Sequence, residues 1–184
     1  TAPTTVNGFT DVTADAFYAD AVAWAVESGV TNGTSASTFS PNNGCTRAQI
    51  VTFLYRYAGQ PSGYYSNPFK DVGATSEASY YKAILWASQK GITSGTSTTA
   101  FSPDQVCTRA QIVTFIYRAA GEPKVDNAVN PFEDVAANAY YADAVLWAVE
   151  NGITTGKAAT RFAPNDTCTR GQGVTFLYRG IGLY

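Results

Sequence analysis

The chain has no histidine and no methionine, and only three cysteines among its 184 residues. Without histidine there is no Cys–His nucleophile pair and no imidazole to ligate a metal. The cysteines form no C-x-x-C pair, so a thiolate metal site has no support in the sequence either. Charge is also scarce, since Asp, Glu, Lys and Arg make up 14% of residues, against roughly 25% in a typical soluble chain. The net charge is −2 at pH 7, which gives no basic field for nucleic acid, so an anionic ligand needs local sites. No apolar run approaches the roughly 18 to 20 residues that span a bilayer, which argues against membrane insertion. The chain opens with Thr1-Ala2-Pro3-Thr4-Thr5, without an initiating Met or an apolar leader, as expected of a mature or trimmed product. Ser, Thr, Asn, Ala and Gly replace charge on the surface, a composition common in exported proteins.

What the chain does have is repetition. The segment Cys-Thr-Arg-(Ala/Gly)-Gln-x-Val-Thr-Phe-(Leu/Ile)-Tyr-Arg starts at Cys45, Cys107 and Cys168, at intervals of 62 and 61 residues. Three units follow, at residues 9–59, 69–121 and 132–182, preceded by an N-terminal segment 1–8 and joined by linkers 60–68 and 122–131. Each unit opens with Phe-x-Asp-Val, built on Asp11, Asp71 and Asp134. The distance from Trp24, Trp86 or Trp147 to the following cysteine is 21 residues in every copy.

Within a unit the pattern predicts helix, long loop, helix. The first helix runs near 18–28 (81–90, 141–151), with Ala21, Trp24 and Ala25 on one face. Gly29, Gly91 and Gly152 follow it, where a left-handed C-terminal residue is expected. The Gly-Thr-Ser-rich loop carries Phe39-Ser-Pro41, Phe101-Ser-Pro103 and Phe162-Ala-Pro164, and whether it contains short extended pieces is left open. A Thr-x-x-Gln capping box then starts the second helix at Thr46–Gln49, Thr108–Gln111 and Thr169–Gln172. Gly59 and Gly121 stop that helix in the first two copies. In the third copy Gly171 and Gly173 replace Ala48 and Ile50, either for close packing or to make room for a ligand. One unit cannot bury both apolar faces, whereas three can, in a row or closed around an approximate three-fold axis. Closure is preferred, because no copy shows the polar face of a terminal cap.

Arg47, Arg109 and Arg170 each follow the N-cap threonine, at the helix end that favours anions. Beside unpaired helix N–H groups a guanidinium makes an anion site for a carboxylate or phosphate. The alternative is an ion pair with Asp11, Asp71 or Asp134. Trp24, Trp86 and Trp147 are expected in the core, or at a groove where they stack on sugar, and Tyr18, Tyr80, Tyr81, Tyr140 and Tyr141 suit stacking as well. Arg56, Arg118 and Arg179 sit late in the second helix and read as solvated structural residues. The cysteines read as small buried hydrophobes. No acidic pair recurs between copies (Asp20 and Asp143 align with Lys82), so general acid–base chemistry is not indicated.

Phe-x-Asp-Val, the Trp helix, Gly-(Val/Ile)-Thr-x-Gly, Phe-x-Pro and Thr-Arg-(Ala/Gly)-Gln, in order and three times over, resemble the S-layer homology (SLH) family. The resemblance implies a mainly α fold: three helix-loop-helix repeats closed into a pseudo-three-fold bundle, with a central three-helix core and inter-repeat grooves. It implies a non-catalytic, cofactor-free and metal-free module, monomeric, extracellular and held at the bacterial cell wall. Its partner would be an acidic, pyruvylated secondary cell-wall polysaccharide; the alternatives are modified peptidoglycan, or protein–protein assembly and adhesion within a surface layer. A secreted enzyme fragment is a weaker rival. The family's arginine contact maps onto Arg47, Arg109 and Arg170. The helix tryptophans map as groove lining, Gly29, Gly91 and Gly152 as backbone contacts, and Gln49, Gln111 and Gln172 complete the ligand-binding set. These glutamines stand where the family often has Glu, which keeps the cap and removes a negative charge beside the arginine. The third copy departs most, at Gly171 and Gly173.

Overall fold

The computed structural model describes residues 5–73, 80–126 and 129–180. Among them are six helices, α1 (Ala19–Glu27), α2 (Arg47–Tyr57), α3 (Tyr81–Gln89), α4 (Arg109–Ala119), α5 (Ala142–Glu150) and α6 (Arg170–Arg179), and one hairpin, β1 (Thr5–Val6) with β2 (Phe9–Thr13). The expected helices are therefore present, with ends within about one residue of those read from the pattern. All three capping boxes form: the threonine side chain accepts from the glutamine N–H, and the glutamine side chain accepts from the threonine N–H. None of the described helices is long and apolar enough to cross a membrane.

The hairpin lies outside the helix-loop-helix pattern of the repeat. Its signal is Asn7-Gly8, which joins the strands with both φ angles positive, 50° and 79°, the conformation of the favoured two-residue hairpin turn. Strands of two and five residues are too short for alternation to show.

Packing does not follow the chain. Helix α1 lies on α6, α3 on α2 and α5 on α4, while α4 also touches α2 and α6 at the centre. The first helix of each copy thus covers the second helix of the preceding copy, and the first copy covers the third. Ile50, Leu54, Ile112, Ile116, Val174 and Leu177 from the three second helices are buried at the centre. The ring closes at the backbone just before these helices. Cys45 N–H donates to Cys168 C=O (2.8 Å), Cys107 N–H to Cys45 C=O (2.9 Å) and Cys168 N–H to Cys107 C=O (2.9 Å). Three equivalent peptides bonded head to tail place a pseudo-three-fold axis through the cysteines. No copy is left with an open end, so no polar cap is needed.

Candidate functional site

The motif arginines are buried: Arg47, Arg109 and Arg170 are 3%, 4% and 3% exposed. Each reaches into another copy. Arg47 Nε donates to Phe101 C=O at 2.8 Å, Arg109 Nε to Phe162 C=O at 2.9 Å and Arg170 Nε to Phe39 C=O at 2.9 Å. Each guanidinium also lies over two rings, those of Phe101 and Phe115 at 4.8 and 5.3 Å in the case of Arg47. Arg109 repeats this with Phe162 and Phe176, and Arg170 with Phe39 and Phe53. The ring faces offset part of the cost of removing the cation from water. Burial lowers the pKa of all three, yet a guanidinium remains protonated at neutral pH.

The ion pair expected with the Phe-x-Asp-Val carboxylates is not made. Asp11 instead accepts from Phe39 and Ser40 N–H at 2.9 and 2.7 Å, and Asp71 and Asp134 hold Phe101/Ser102 and Phe162/Ala163 at the same distances. Carboxylate and guanidinium therefore meet on one residue from opposite ends, the carboxylate on its N–H and the arginine on its C=O. Ser40, Ser102 and Ala163 have φ of 58°, 59° and 60°, a left-handed conformation unfavourable for residues with a Cβ. The two amides on one carboxylate hold the loop there.

The helix N-termini are not free either, which corrects the second expectation. Arg47 and Ala48 N–H donate to Gln105 and Pro103 C=O, Arg109 and Ala110 to Asp166 and Pro164, and Arg170 and Gly171 to Asn43 and Pro41. With the capping bonds added, the first-turn donors are consumed in closing the ring. Any anion must be met by side chains.

Those side chains line three equivalent grooves. One, of about 380 Å³, is bounded by Arg170, Gly33, Gln49, Arg56, Tyr80 and Asp104 among others. The second, about 340 Å³, has Arg47, Gly95, Gln111, Arg118 and Tyr140 at the corresponding places. The third, about 210 Å³, has Arg109, Gly156, Gln172, Arg179 and Phe17, with Lys157 where the others have threonine. Each groove takes its loop, Gln and late-helix Arg from one copy, its buried Arg from the preceding copy and its aromatic rim from the following one. A single repeat contains no complete site. In each glutamine the oxygen serves the cap, so the amide nitrogen is the end left to the groove.

The grooves differ in charge. The Arg47 groove has two cations, the Arg170 groove has two with Asp104 on its rim, and the Arg109 groove has three. Lys157 in the last bonds Asp166. Arg170 Nη2 is buried without a partner among the described residues, whereas Arg47 Nη2 reaches Thr93 Oγ1 at 3.2 Å.

Arginines 47, 109 and 170 and glutamines 49, 111 and 172 are thus brought together. The other expected residues lie elsewhere. Trp86 and Trp147 are 5% and 3% exposed and pack on Tyr55 and Tyr117, while half-buried Trp24 lies between Tyr57 and Tyr178. None lines the three grooves, because the tryptophan face of α1, α3 and α5 is the face that covers the neighbouring second helix. Gly29, Gly91 and Gly152 end those helices with φ of 72°, 73° and 68°; Gly91 lines a separate cleft beside Arg118. The glycines in the grooves are Gly33, Gly95 and Gly156, the second glycines of the Gly-(Val/Ile)-Thr-x-Gly motif. At Gly33 a Cβ would lie 2.6 Å from Thr38 O and 2.7 Å from the Phe9 ring.

Arg56, Arg118 and Arg179 are the residues that sequence reasoning missed. They line the grooves, donating through Nη1 to Val30, Ile92 and Ile153 C=O at 3.2, 3.4 and 3.3 Å, and Arg118 Nε also lies 3.7 Å from Glu122. A cation late in a helix satisfies a local rule, so nothing in the local sequence marks a second role. The cysteines are free and buried, as expected of packing residues. Among the described residues no group of His, Cys, Asp and Glu is arranged to hold a metal.

Comparison with known proteins agrees with this architecture. The family model described as the S-layer homology domain matches residues 8–51, 68–113 and 131–172, more than half of the chain. The chain is similar to the Surface-layer 125 kDa protein of Lysinibacillus sphaericus, 40% identical over 50% of this chain and 8% of that one. It is similar to an Endoglucanase of Bacillus sp. (strain KSM-635), 32% identical over 79% of this chain and 16% of the other. An S-layer protein of Bacillus thuringiensis subsp. finitimus is 27% identical over 93% of this chain and 21% of its own length. The chain therefore spans about a fifth or less of these relatives, and the part shared with the endoglucanase is a small fraction of that protein. Three family matches in tandem, on three copies closed into one ring, establish that the chain belongs to the S-layer homology domain family and is an extracellular cell-surface module.

Proposed function

We propose that this module is non-catalytic and anchors an exported protein by binding an acidic secondary cell-wall polysaccharide in its inter-repeat grooves. The observation that carries this reading is a buried guanidinium in each groove with no carboxylate partner, a second arginine within the same groove and an aromatic side chain at the rim. A carboxylate such as that of a ketal-linked pyruvate takes the charge-assisted bonds, the glutamine amide donates to a sugar oxygen, and Tyr80, Tyr140 or Phe17 covers a sugar face. Occupation of more than one groove by one polymer adds avidity without new contacts.

The test is sedimentation with purified wall of Lysinibacillus sphaericus, before and after mild acid removal of pyruvate. Wild type binds intact wall, the stripped wall loses most of the binding, and the R47A/R109A/R170A variant binds neither. Equal binding to stripped wall returns the reading to peptidoglycan. Self-association by light scattering without wall, together with failure to sediment with wall, returns it to protein assembly.

A further inference from the structure

A cavity larger than any of the three grooves lies outside them. About 470 Å³ in volume, it sits where α2 ends and the first linker begins, lined by Tyr55, Arg56, Gln60, Ser62, Tyr65 and Lys82 among others. Arg56 also lines the Arg170 groove, so the two spaces share that side chain as a wall. The linker wall is fixed: Tyr55 and Tyr65 hydroxyls both donate to Pro61 C=O, at 3.2 and 2.9 Å. Their phenol oxygens keep acceptor capacity, and Gln60 and Ser62 add exposed hydrogen-bonding groups.

Charge distinguishes this junction from the next one along the chain. Lys82, exposed at the start of α3, stands where the first and third copies have Asp20 and Asp143. Gln60, just past α2, stands where the second copy has Glu122, which pairs with Arg118 at 3.7 Å. Between the second and third copies the late-helix arginine is thus paired with an acid, and Asp143 stands in the place of Lys82. Tyr117, the counterpart of Tyr55, reports the same acidity, since its pKa is raised by burial and then by Asp143 and Glu122. Between the first and second copies Arg56 and Lys82 both line the cavity, whose wall holds no carboxylate among the described residues. Two like charges around one hollow disfavour each other unless an anion lies between them.

We propose that this cavity is a second anion subsite, continuous with the Arg170 groove through Arg56, which takes the acidic group of a neighbouring sugar on the same polymer. This rests on the wall-glycan reading of the grooves. The Arg170 groove then differs from the Arg47 groove in the length of ligand it holds: one acidic sugar lies between Arg170 and Arg56, and the next lies between Arg56 and Lys82 against the tyrosines. Beside the Arg47 groove the cleft that shares Arg118 also holds Glu122, so no pair of cations without an acid waits there for a second anion.

The probe is wall polysaccharide of Lysinibacillus sphaericus, partially hydrolysed and separated into fragments with one and with two anionic groups, titrated calorimetrically. Wild type binds the two-anion fragment about fivefold tighter than the one-anion fragment, the scale of one further partly exposed charge contact. Lys82→Asp restores the residue type of the other copies and places an acid at a helix start, where it is well tolerated. It removes the fivefold preference, so that the two fragments bind alike. Glu122→Gln with Asp143→Lys builds a second such cavity and strengthens two-anion binding further. A preference that survives K82D overturns the subsite and leaves the groove standing. If wild type binds neither fragment, the wall-glycan reading falls and the subsite falls with it.

Discussion

Arg170 Nε lies 2.9 Å from the carbonyl oxygen of Phe39, a residue 131 positions earlier in the chain. The same bond joins Arg47 to Phe101 across 54 positions and Arg109 to Phe162 across 53. One contact, made three times, is local to neighbouring copies twice and closes the chain once. The residue proposed to meet the ligand is therefore also a clasp between copies, so site and fold share their energetics.

Arg170→Lys separates the two roles by degree. The lysine keeps the charge but cannot reproduce the planar stack on Phe39 and Phe53, nor the Nε bond. A buried Phe39 carbonyl left unpaired costs about 2 kcal/mol. Urea denaturation should show that loss while the circular dichroism of the native state is unchanged. Wall binding through this groove should fall by about tenfold, because the fork geometry that matches a carboxylate is gone.

Acid should loosen the loops that carry the clasp. Burial works to raise the Asp71 carboxyl, but the N–H groups of Phe101 and Ser102, its own N–H and the charge of Arg47 outweigh it and hold its pKa below the usual carboxylate range. A folded pKa below the unfolded value of about 3.9 means that the native state binds fewer protons. This contribution is complete above pH ~4 and is lost as the pH falls through the lower folded pKa. Asp71→Asn removes the titration, so the acid-side decline of stability becomes shallower, while stability at pH 7 falls by about 1–2 kcal/mol through weaker bonds to the two amides. Denaturation midpoints from pH 7 down to pH 2 measure both effects.

Much of this architecture could be read in advance because it obeys local rules three times. The Thr46–Gln49 box starts a helix by satisfying its own end groups, and Gly29 ends one by accepting φ of 72°. Arg47 drew notice by breaking a local rule, since a cation is unfavourable at that helix end. Which copy packs on which was hidden, because a sequence period carries no information about spatial neighbours; that is why the helix N–H groups looked free and Asp11 looked like a partner of an arginine. Arg56 was hidden for the opposite reason. It satisfies the helix-end rule so well that only its position beside Gln49 and Arg170 reveals the groove.

The cysteine ring predicts silence from three thiols. Burial pushes the Cys107 and Cys168 thiols up to about 12 and raises Cys45 well above its ordinary value as well. The thiolate is the reactive species, so at pH 8 the folded protein should give no reaction with Ellman's reagent over an hour, and all three thiols should react at once in denaturant. Rapid labelling of any one of them in the native state would mean that the ring opens on that timescale and that the three copies part readily at the axis.

The two glycines peculiar to α6 should answer alanine in opposite directions. A Cβ on Gly171 would lie 2.8 Å from Tyr18 Cδ1, 3.1 Å from its Cγ and 3.2 Å from Pro41 O. A ring and a backbone oxygen cannot both yield, so overpacking of about 1–3 kcal/mol outweighs the ~1 kcal/mol gained in helix propensity. At Gly173 the nearest atoms are Ile112 Cδ1 at 3.3 Å and Cys45 Sγ at 3.5 Å. The first is the tip of a flexible side chain and the second is an ordinary contact, so the propensity gain prevails and Gly173→Ala should stabilise by up to about 1 kcal/mol. Urea midpoints of the two variants should therefore fall on either side of wild type. A stabilised Gly171→Ala would remove the packing account of that glycine, and binding of wall fragments by the same variant would then show whether the space beside Tyr18 is kept for ligand.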